Sequence, residues 1–329
     1  MVVRIMEILE KNIKNPRAFS KYRLWGNKGF MHICLESPGC RFRKEGYCIM
    51  CDYGNGNLLT PVQVADAMKD AFQKWGQPVH LLLVGSCGSV FDEQEITFES
   101  LQALLNVIAE TNVEAVIFET HYSTVREELL AYIRKALSEK KLSIELGFES
   151  SNPEILVHHL HKYVDLNCLL EKIAMIKRNG MGVILNVFLG SPGLNSVEQM
   201  LDSLHSIRWA FEHDADEVVV FPSNIKPKTR LWDLYESGEY QRPSSWLLVK
   251  LLSNLTAEEL SKTSISWFGD RQYAGLDEDI LPPATCPECR DLLMKLFRDY
   301  MDDPSGNRRM DLLKAAKESA TCNCYKDLS

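Results

Sequence analysis

The sequence predicts an α/β protein in which a parallel sheet is covered by helices, either closed as a barrel or open and doubly wound. Three observations carry that expectation. A chain of 329 residues, 45% hydrophobic and 25% charged, can bury a sizeable core. Apolar runs of strand length alternate with stretches of helical period six times between Phe30 and Phe221. After Gln241 the pattern turns to helices alone, which predicts a second region. The same composition excludes wholesale disorder and fibrous repeats.

Phe30 to Leu35 is an apolar-rich strand delivered into Ser37-Pro38-Gly39, a loop signal. Thr60 and Gln63 form a capping box around Pro61, and Val64, Met68, Ala71, Phe72 and Trp75 follow at helical spacing to about Gly76. Strands are then expected at His80 to Val84, Ala115 to Glu119, Ser143 to Phe148, Gly182 to Leu189 and Glu217 to Phe221. Helices are expected at Phe98 to Glu110, Thr124 to Leu137 and Leu166 to Arg178, the last stopped by Asn179-Gly180. Another, Ser196 to Phe211, opens on a second capping box, Ser196 with Gln199. Beyond the boundary, Trp246 to Lys262 and Leu292 to Met301 read as helices. Right-handed crossovers make such a sheet parallel, and loops at the carboxyl ends of its strands carry the chemistry.

The formal charge of −8 disfavours a surface built chiefly to neutralise nucleic-acid phosphate. Residues 1 to 57 run the other way, with ten Lys and Arg against five acids, so that end can meet an anion. No signal-peptide pattern opens the chain and no apolar run reaches bilayer length, so no membrane partner and a cytoplasmic address are expected. Thiols stay reduced there, and ten cysteines read as metal ligands, catalytic groups or core fillers rather than disulfides.

Cys40, Cys48 and Cys51 stand as C-x7-C-x2-C after the first strand. Three thiolates on one loop can hold three irons of a four-iron cube and leave the fourth open to an exchangeable ligand. Structural zinc would ask for a fourth protein ligand, which Cys34 at the strand end would supply; buried, unliganded cysteines are the third reading.

Three thiolates after the first strand of a six-unit strand-helix chain resemble the radical S-adenosylmethionine (SAM) superfamily. Most members carry C-x3-C-x2-C, so the longer first spacer is a departure. The segment Ser37 to Gly54, SPGCRFRKEGYCIMCDYG, is similar to the cluster loop of the branch containing the archaeosine-forming enzymes, related to the Elongator catalytic subunit. Gly88-Ser89-Val90-Phe91-Asp92, Gly147-Phe148-Glu149-Ser150 and Pro222-Ser223-Asn224 fall after strands where that branch has similar segments, so the resemblance covers residues 29 to about 329.

The resemblance implies a partial (βα)6 TIM-like barrel with a helical, cysteine-bearing C-terminal extension. The expected division is an N-terminal extension over 1–28, the barrel over 29–240 and a helical domain over 241–329. It implies a 4Fe-4S cluster on Cys40, Cys48 and Cys51, SAM chelated at the open iron, and an external electron donor of flavodoxin or ferredoxin type. Gly85, Ser86, Gly88 and Ser89 would meet the SAM ammonium, with glycine letting the backbone approach. Met50 replaces the aromatic residue common beside adenine. Glu149 would accept hydrogen bonds from the SAM ribose or ammonium, and Asn186 would bond a ribose hydroxyl. Ser191 and Phe221 fall where the superfamily packs adenine.

Each has a plainer reading. Gly85 to Ser89 would be a loop needing positive φ, Glu149 a cap for a helix starting near Asn152, and Asn186 a satisfied core amide. His158, His159 and His161 do not share one helical face, so packing or solvation is expected of them. His121 and Tyr122 follow a strand and would face substrate or serve structure. Cys168 opens an apolar helix as a core residue, whereas Cys87 lies in the proposed SAM loop.

Near the C-terminus Cys286, Cys289, Cys322 and Cys324 form C-x2-C and C-x-C, enough to close a tetrahedral zinc site; an auxiliary cluster or unliganded cysteines are the alternatives. A similar cysteine-bearing tail occurs in the branch. The expected function is reductive SAM cleavage applied to a small-molecule substrate. The arsinothricin-pathway radical SAM enzymes also resemble this cysteine spacing, which implies transfer of the 3-amino-3-carboxypropyl group to trivalent arsenic. The other two readings are tRNA-base modification of archaeosine type and a non-catalytic zinc protein.

Overall fold

The computed structural model describes residues 13–15, 17–25, 28–45, 48–51, 56–266 and 280–324. Residues 1–12, 16, 26 and 27 of the expected N-terminal extension, and Gly46, Tyr47, Asp52, Tyr53 and Gly54 of the cysteine loop, lie outside the described residues. Two compact units divide the chain: residues 1–47, 53–147 and 165–184 form one, and 48–52, 148–164 and 185–329 the other.

In the first unit, β1 (Ile13–Asn15), β2 (Ala18–Trp25) and β3 (Lys28–Leu35) pair antiparallel. From β3 onward the pairing turns parallel through β4 (Leu81–Ser86), β5 (Ala115–Thr120) and β6 (Lys141–Glu149). Between them run α1 (Arg41–Lys44), α2 (Pro61–Trp75), α3 (Phe98–Ala109) and α4 (Glu127–Ala136), with α5 (Leu166–Arg178) later in the chain. The Thr60–Gln63 capping box and the left-handed Gly76 bound α2 as expected.

The second unit holds α6 (Ser196–Glu212), β8 (Glu217–Pro222), α7 (Arg230–Glu236), α8 (Ser245–Leu252), α9 (Ala257–Ser261), β9 (Thr263–Ile265), α10 (Pro287–Asp302) and α11 (Gly306–Glu318). β7 (Gly182–Leu189) and β6 each pass from the first unit into the second partway along their length. Strand order follows chain order from β1 to β9, without the reversal that defines a doubly wound sheet. The fold is therefore α/β of the partial TIM-like barrel type with a helical C-terminal region. No helix among the described residues is long and apolar enough to cross a membrane.

Several boundaries differ from expectation for local reasons. Residues 246–262 are two helices because Thr256 and Glu259 close a capping box that starts α9 afresh, and Thr263–Ile265 then pairs parallel with β8. Helix α6 is capped by Asn195 with Glu198, one residue earlier than the Ser196–Gln199 pair. The helix expected from Thr124 begins at Glu127, since the Thr124 hydroxyl donates to the His121 carbonyl inside a short 3-10 turn over Tyr122–Thr124. β2 and α11 carry no clear sequence signal, while the helix expected near Asn152 is the π-helical turn Ile155–His159.

Candidate active site

In the first unit, β3 ends at Leu35 and the chain turns through Ser37 and Gly39, the latter at φ +92°, into Cys40, which sits at the N-cap of α1. The Cys40 N–H donates to the Cys87 carbonyl at 3.1 Å, which fastens the cysteine loop to the Gly85–Ser89 loop after β4. Cys34, also half-buried, lies in register with Gly85 across the β3–β4 pair.

A buried carboxylate that sequence reading missed ties these loops further. Glu95 is 2% exposed, and its Oε2 accepts from Ser37 Oγ at 3.0 Å, Ser86 Oγ at 3.2 Å and the Ser89 N–H at 3.0 Å. Ser37 Oγ in turn accepts from the Gly39 N–H at 3.1 Å. Burial pushes the Glu95 carboxyl above the ordinary range, against the pull of those donors.

The glycines here answer to close approach and not to backbone sign, since neither Gly85 nor Gly88 has positive φ. A Cβ on Gly88 would lie 2.3 Å from Glu95 Oε1, and one on Gly85 would lie 2.7 Å from Glu119 Oε2. That replaces the plain reading of a loop needing positive φ with a steric one.

His121 is buried and structural in its contacts: its N–H donates to Ser89 Oγ, its Nδ1 meets Ser123 Oγ, and its ring lies 4.4 Å from that of Phe42 on α1. Tyr122 accepts the Asp165 N–H at its hydroxyl, at the N-cap of α5. Cys168 in the first turn of α5 is half-buried.

In the second unit the remaining two cysteines sit on a short anchored segment. The Ile49 carbonyl accepts the Leu231 N–H, and the Ile49 side chain is buried with Ile225, Leu231 and Tyr240. Met50 packs against that same apolar cluster. The segment thus presents Cys48 and Cys51 from a fixed base. A hydrogen bond from Cys51 holds the Cys48 thiol below its usual range, and the Lys162 cation adds to the effect against the cost of burial.

Lys162 pairs with Glu149 Oε2, and the two side chains are only 11% and 13% exposed. Glu149 adopts φ +66°, a conformation that costs a non-glycine residue roughly 1–3 kcal/mol and that the surrounding contacts must hold. It does not cap the following turn: Ser150 Oγ receives the Asn152 N–H and Asn152 Oδ1 that of Glu154. Ser150 Oγ also donates to Asp202 Oδ1 at 2.6 Å, and burial raises Asp202 to about 6.

Asn186 on β7 is 7% exposed, and its Oδ1 has no partner among the described residues. A satisfied core amide would not leave that acceptor bare, so the oxygen suits a donor from outside the chain. Ser191 is buried beyond the end of β7, where Gln199 Nε2 donates to its carbonyl, and Phe221 is half-buried on β8. Between β7 and Ser191, Gly190 has φ +116° and a carbonyl that accepts from Tyr240 Oη at 2.7 Å. The histidine trio diverges: His159 Nδ1 meets the Pro192 carbonyl, while His158 lies beside exposed Glu154.

Cys286, Cys289, Cys322 and Cys324 bring their sulfurs within 4.8 Å of one another. Cys286 is the N-cap of α10, Cys289 lies in its first turn, and the other two follow α11. Cys289 Sγ and Cys322 Sγ are 2.7 Å apart, and Cys286 Sγ and Cys322 Sγ 3.6 Å. Hydrogen bonding to Cys289 lowers Cys322 to about 7, while burial pushes Cys289 up to about 12. A tetrahedral ion with bonds of about 2.3 Å asks for sulfurs roughly 3.8 Å apart; Cys286 and Cys322 meet that spacing, and Cys289 and Cys322 would have to separate by about 1 Å to share one ion.

No family model matches the chain. Over 230 residues it is 27% identical to the archaeosine synthase subunit beta of Methanosarcina acetivorans, which covers 68% of this chain and 66% of that one. The chain thus spans just under two thirds of that relative's length. Among solved structures, the SAM-bound SuiB of Streptococcus suis superposes with a TM-score of 0.51 at 11% identity, covering 72% of this chain and 50% of that one. Methylornithine synthase superposes with a TM-score of 0.50 at 16% identity, covering 70% and 63%.

These likenesses give the fold: the chain shares the architecture of SuiB and of methylornithine synthase. In sequence it is similar to an archaeosine synthase subunit, as expected from the cysteine loop.

Proposed function

We propose that the chain binds a 4Fe-4S cluster through Cys40, Cys48 and Cys51 and cleaves SAM reductively to modify a small-molecule substrate. The observation that carries the reading is how the chain fastens the three cysteines: the Cys40 N–H donates to the Cys87 carbonyl, and Cys48 and Cys51 flank Ile49 and Met50, which are packed into an apolar cluster. When bound, the cluster supplies the electron that breaks a carbon-sulfur bond of the sulfonium, and an external flavodoxin- or ferredoxin-type donor replenishes it.

The chain's own residues bind and orient. Asn186 Oδ1 offers an acceptor for a ribose hydroxyl. Glu149, held by Lys162, presents a carboxylate to the ribose or ammonium. The Gly85-Ser86-Cys87-Gly88-Ser89 loop lets SAM approach its backbone; Met50, Ser191 and Phe221 contribute to the adenine pocket. At the C-terminal cysteines we propose structural zinc, supported by four sulfurs packed closely enough for one ion.

For the substrate, the net charge of −8 supports a small molecule, and the C-x7-C-x2-C spacing supports 3-amino-3-carboxypropyl transfer to trivalent arsenic as in the arsinothricin pathway. The similarity to archaeosine synthase subunit beta favours a second reading, modification of a tRNA base. The test is anaerobic reconstitution with iron and sulfide, then incubation with SAM and dithionite, with arsenite or with tRNA. 5′-Methylthioadenosine formed with arsenite supports the arsenic reading. 5′-Deoxyadenosine formed only with tRNA supports the second, and no SAM cleavage under any condition rejects both.

A further inference from the structure

Cys40 is flanked on both sides by contacts to one turn. Upstream, Ser37 and, through it, the Gly39 N–H are held by Glu95. Downstream, the Arg41 guanidinium bonds Asp92 Oδ2 through Nε at 2.8 Å and Nη2 at 2.6 Å. Asp92 and Glu95 are themselves joined, the Glu95 N–H donating to the Asp92 carbonyl at 2.8 Å. Both carboxylates are buried, at 4% and 2% exposure.

We propose that the Asp92–Glu95 turn is a clamp that positions Cys40, with Glu95 as its principal positioning residue. Seven residues separate Cys40 from Cys48, a spacer long enough to leave the first sulfur poorly placed if chain connectivity alone held it. The clamp removes that freedom by fixing residues 37, 39 and 41 from outside the spacer. Glu95 Oε1 has no partner among the described residues and fills the space that a Cβ on residue 88 would take, so Gly88 belongs to the same device.

The consequence for iron binding rests on Cys40 being a cluster ligand, but the clamp itself can be tested without iron. In the metal-free full-length chain, each cysteine's alkylation rate is followed by mass spectrometry, and iron and sulfide per chain are measured separately after anaerobic reconstitution. Glu95→Ala is expected to speed labelling of Cys40 by about tenfold, as buried hydrogen bonds around it are lost, and to leave Cys48 and Cys51 within about twofold. Glu95→Gln keeps an oxygen for the three donors and is expected to restore the parent rate. Ser37→Ala, a milder change, should move Cys40 in the same direction as Glu95→Ala.

Unchanged Cys40 labelling in Glu95→Ala and Ser37→Ala overturns the clamp, as does a parallel rise at all three cysteines, which marks general loosening. If the parent chain takes up no iron while Cys40 still responds selectively, the clamp stands and the cluster reading fails.

Discussion

Lys162 and Glu149 form a nearly buried ion pair in the unit that also holds Cys48, and both charges act on that thiol, the cation drawing it toward thiolate and the anion opposing. Removing one partner leaves the other charged in a site that water barely reaches. Lys162→Met should therefore destabilise the protein by about 3 kcal/mol, read as a lowered urea midpoint at unchanged slope. A variant with both Lys162→Met and Glu149→Gln should recover most of that loss.

Asp202 gives a pH signature of definite sign. Its carboxyl rises from 3.8 to about 6 through burial, so the native state binds the proton more tightly than the unfolded chain does. Its stabilising effect is fully present below pH 4 and is lost as pH rises to about 6, a cost of about 3 kcal/mol by pH 7. Asp202→Asn, still able to accept from Ser150, should remove that slope. Urea unfolding of the variant and its parent from pH 4 to pH 7 should show the variant gaining relative stability with pH.

The C-terminal helices depend on Arg309, 2% exposed on α11. Its Nε donates to the Tyr300 and Asp303 carbonyls, its Nη1 to those of Leu260 and Thr263, and its guanidinium lies 4.3 Å from the Tyr300 ring centroid. Arg309→Met strands these acceptors and should cost about 3–5 kcal/mol. Arg309→Lys should recover less than half, because one ammonium cannot span the same carbonyls. Thermal unfolding followed by circular dichroism checks both.

The zinc proposal separates from the cluster proposal by mutation. With Cys40, Cys48 and Cys51 all replaced by Ala, elemental analysis should still find one zinc per chain. Cys289→Ala should abolish it and expose α10 and α11 to faster hydrogen exchange, since a structural zinc site contributes on the order of 10 kcal/mol to folding.

Much of this architecture was legible because its elements announce themselves locally. The run from Val183 to Leu189 and the Thr60-Pro61-Val62-Gln63 cap each follow one physical rule within a few residues, and the structure agrees. β2 was missed because the residues on its buried face, Ala18, Ser20 and Tyr22, are small or polar and give no apolar alternation. α11 was missed because an arginine occupies its inward stripe beside Leu313 and Ala316. The cysteine groups were legible from spacing. Glu95 was not, since its role exists only where Ser37, Ser86 and Ser89 converge on it from two separate loops.

The central claim is that Cys40, Cys48 and Cys51 hold a four-iron cluster with one iron free to take SAM. Mössbauer spectroscopy of the anaerobically reconstituted chain, with and without SAM, tests it most directly. The account predicts four irons per chain, one of which changes its signal on adding SAM, and loss of all four when the three cysteines become alanine. A spectrum indifferent to SAM, or iron retained in the triple variant, would contradict it.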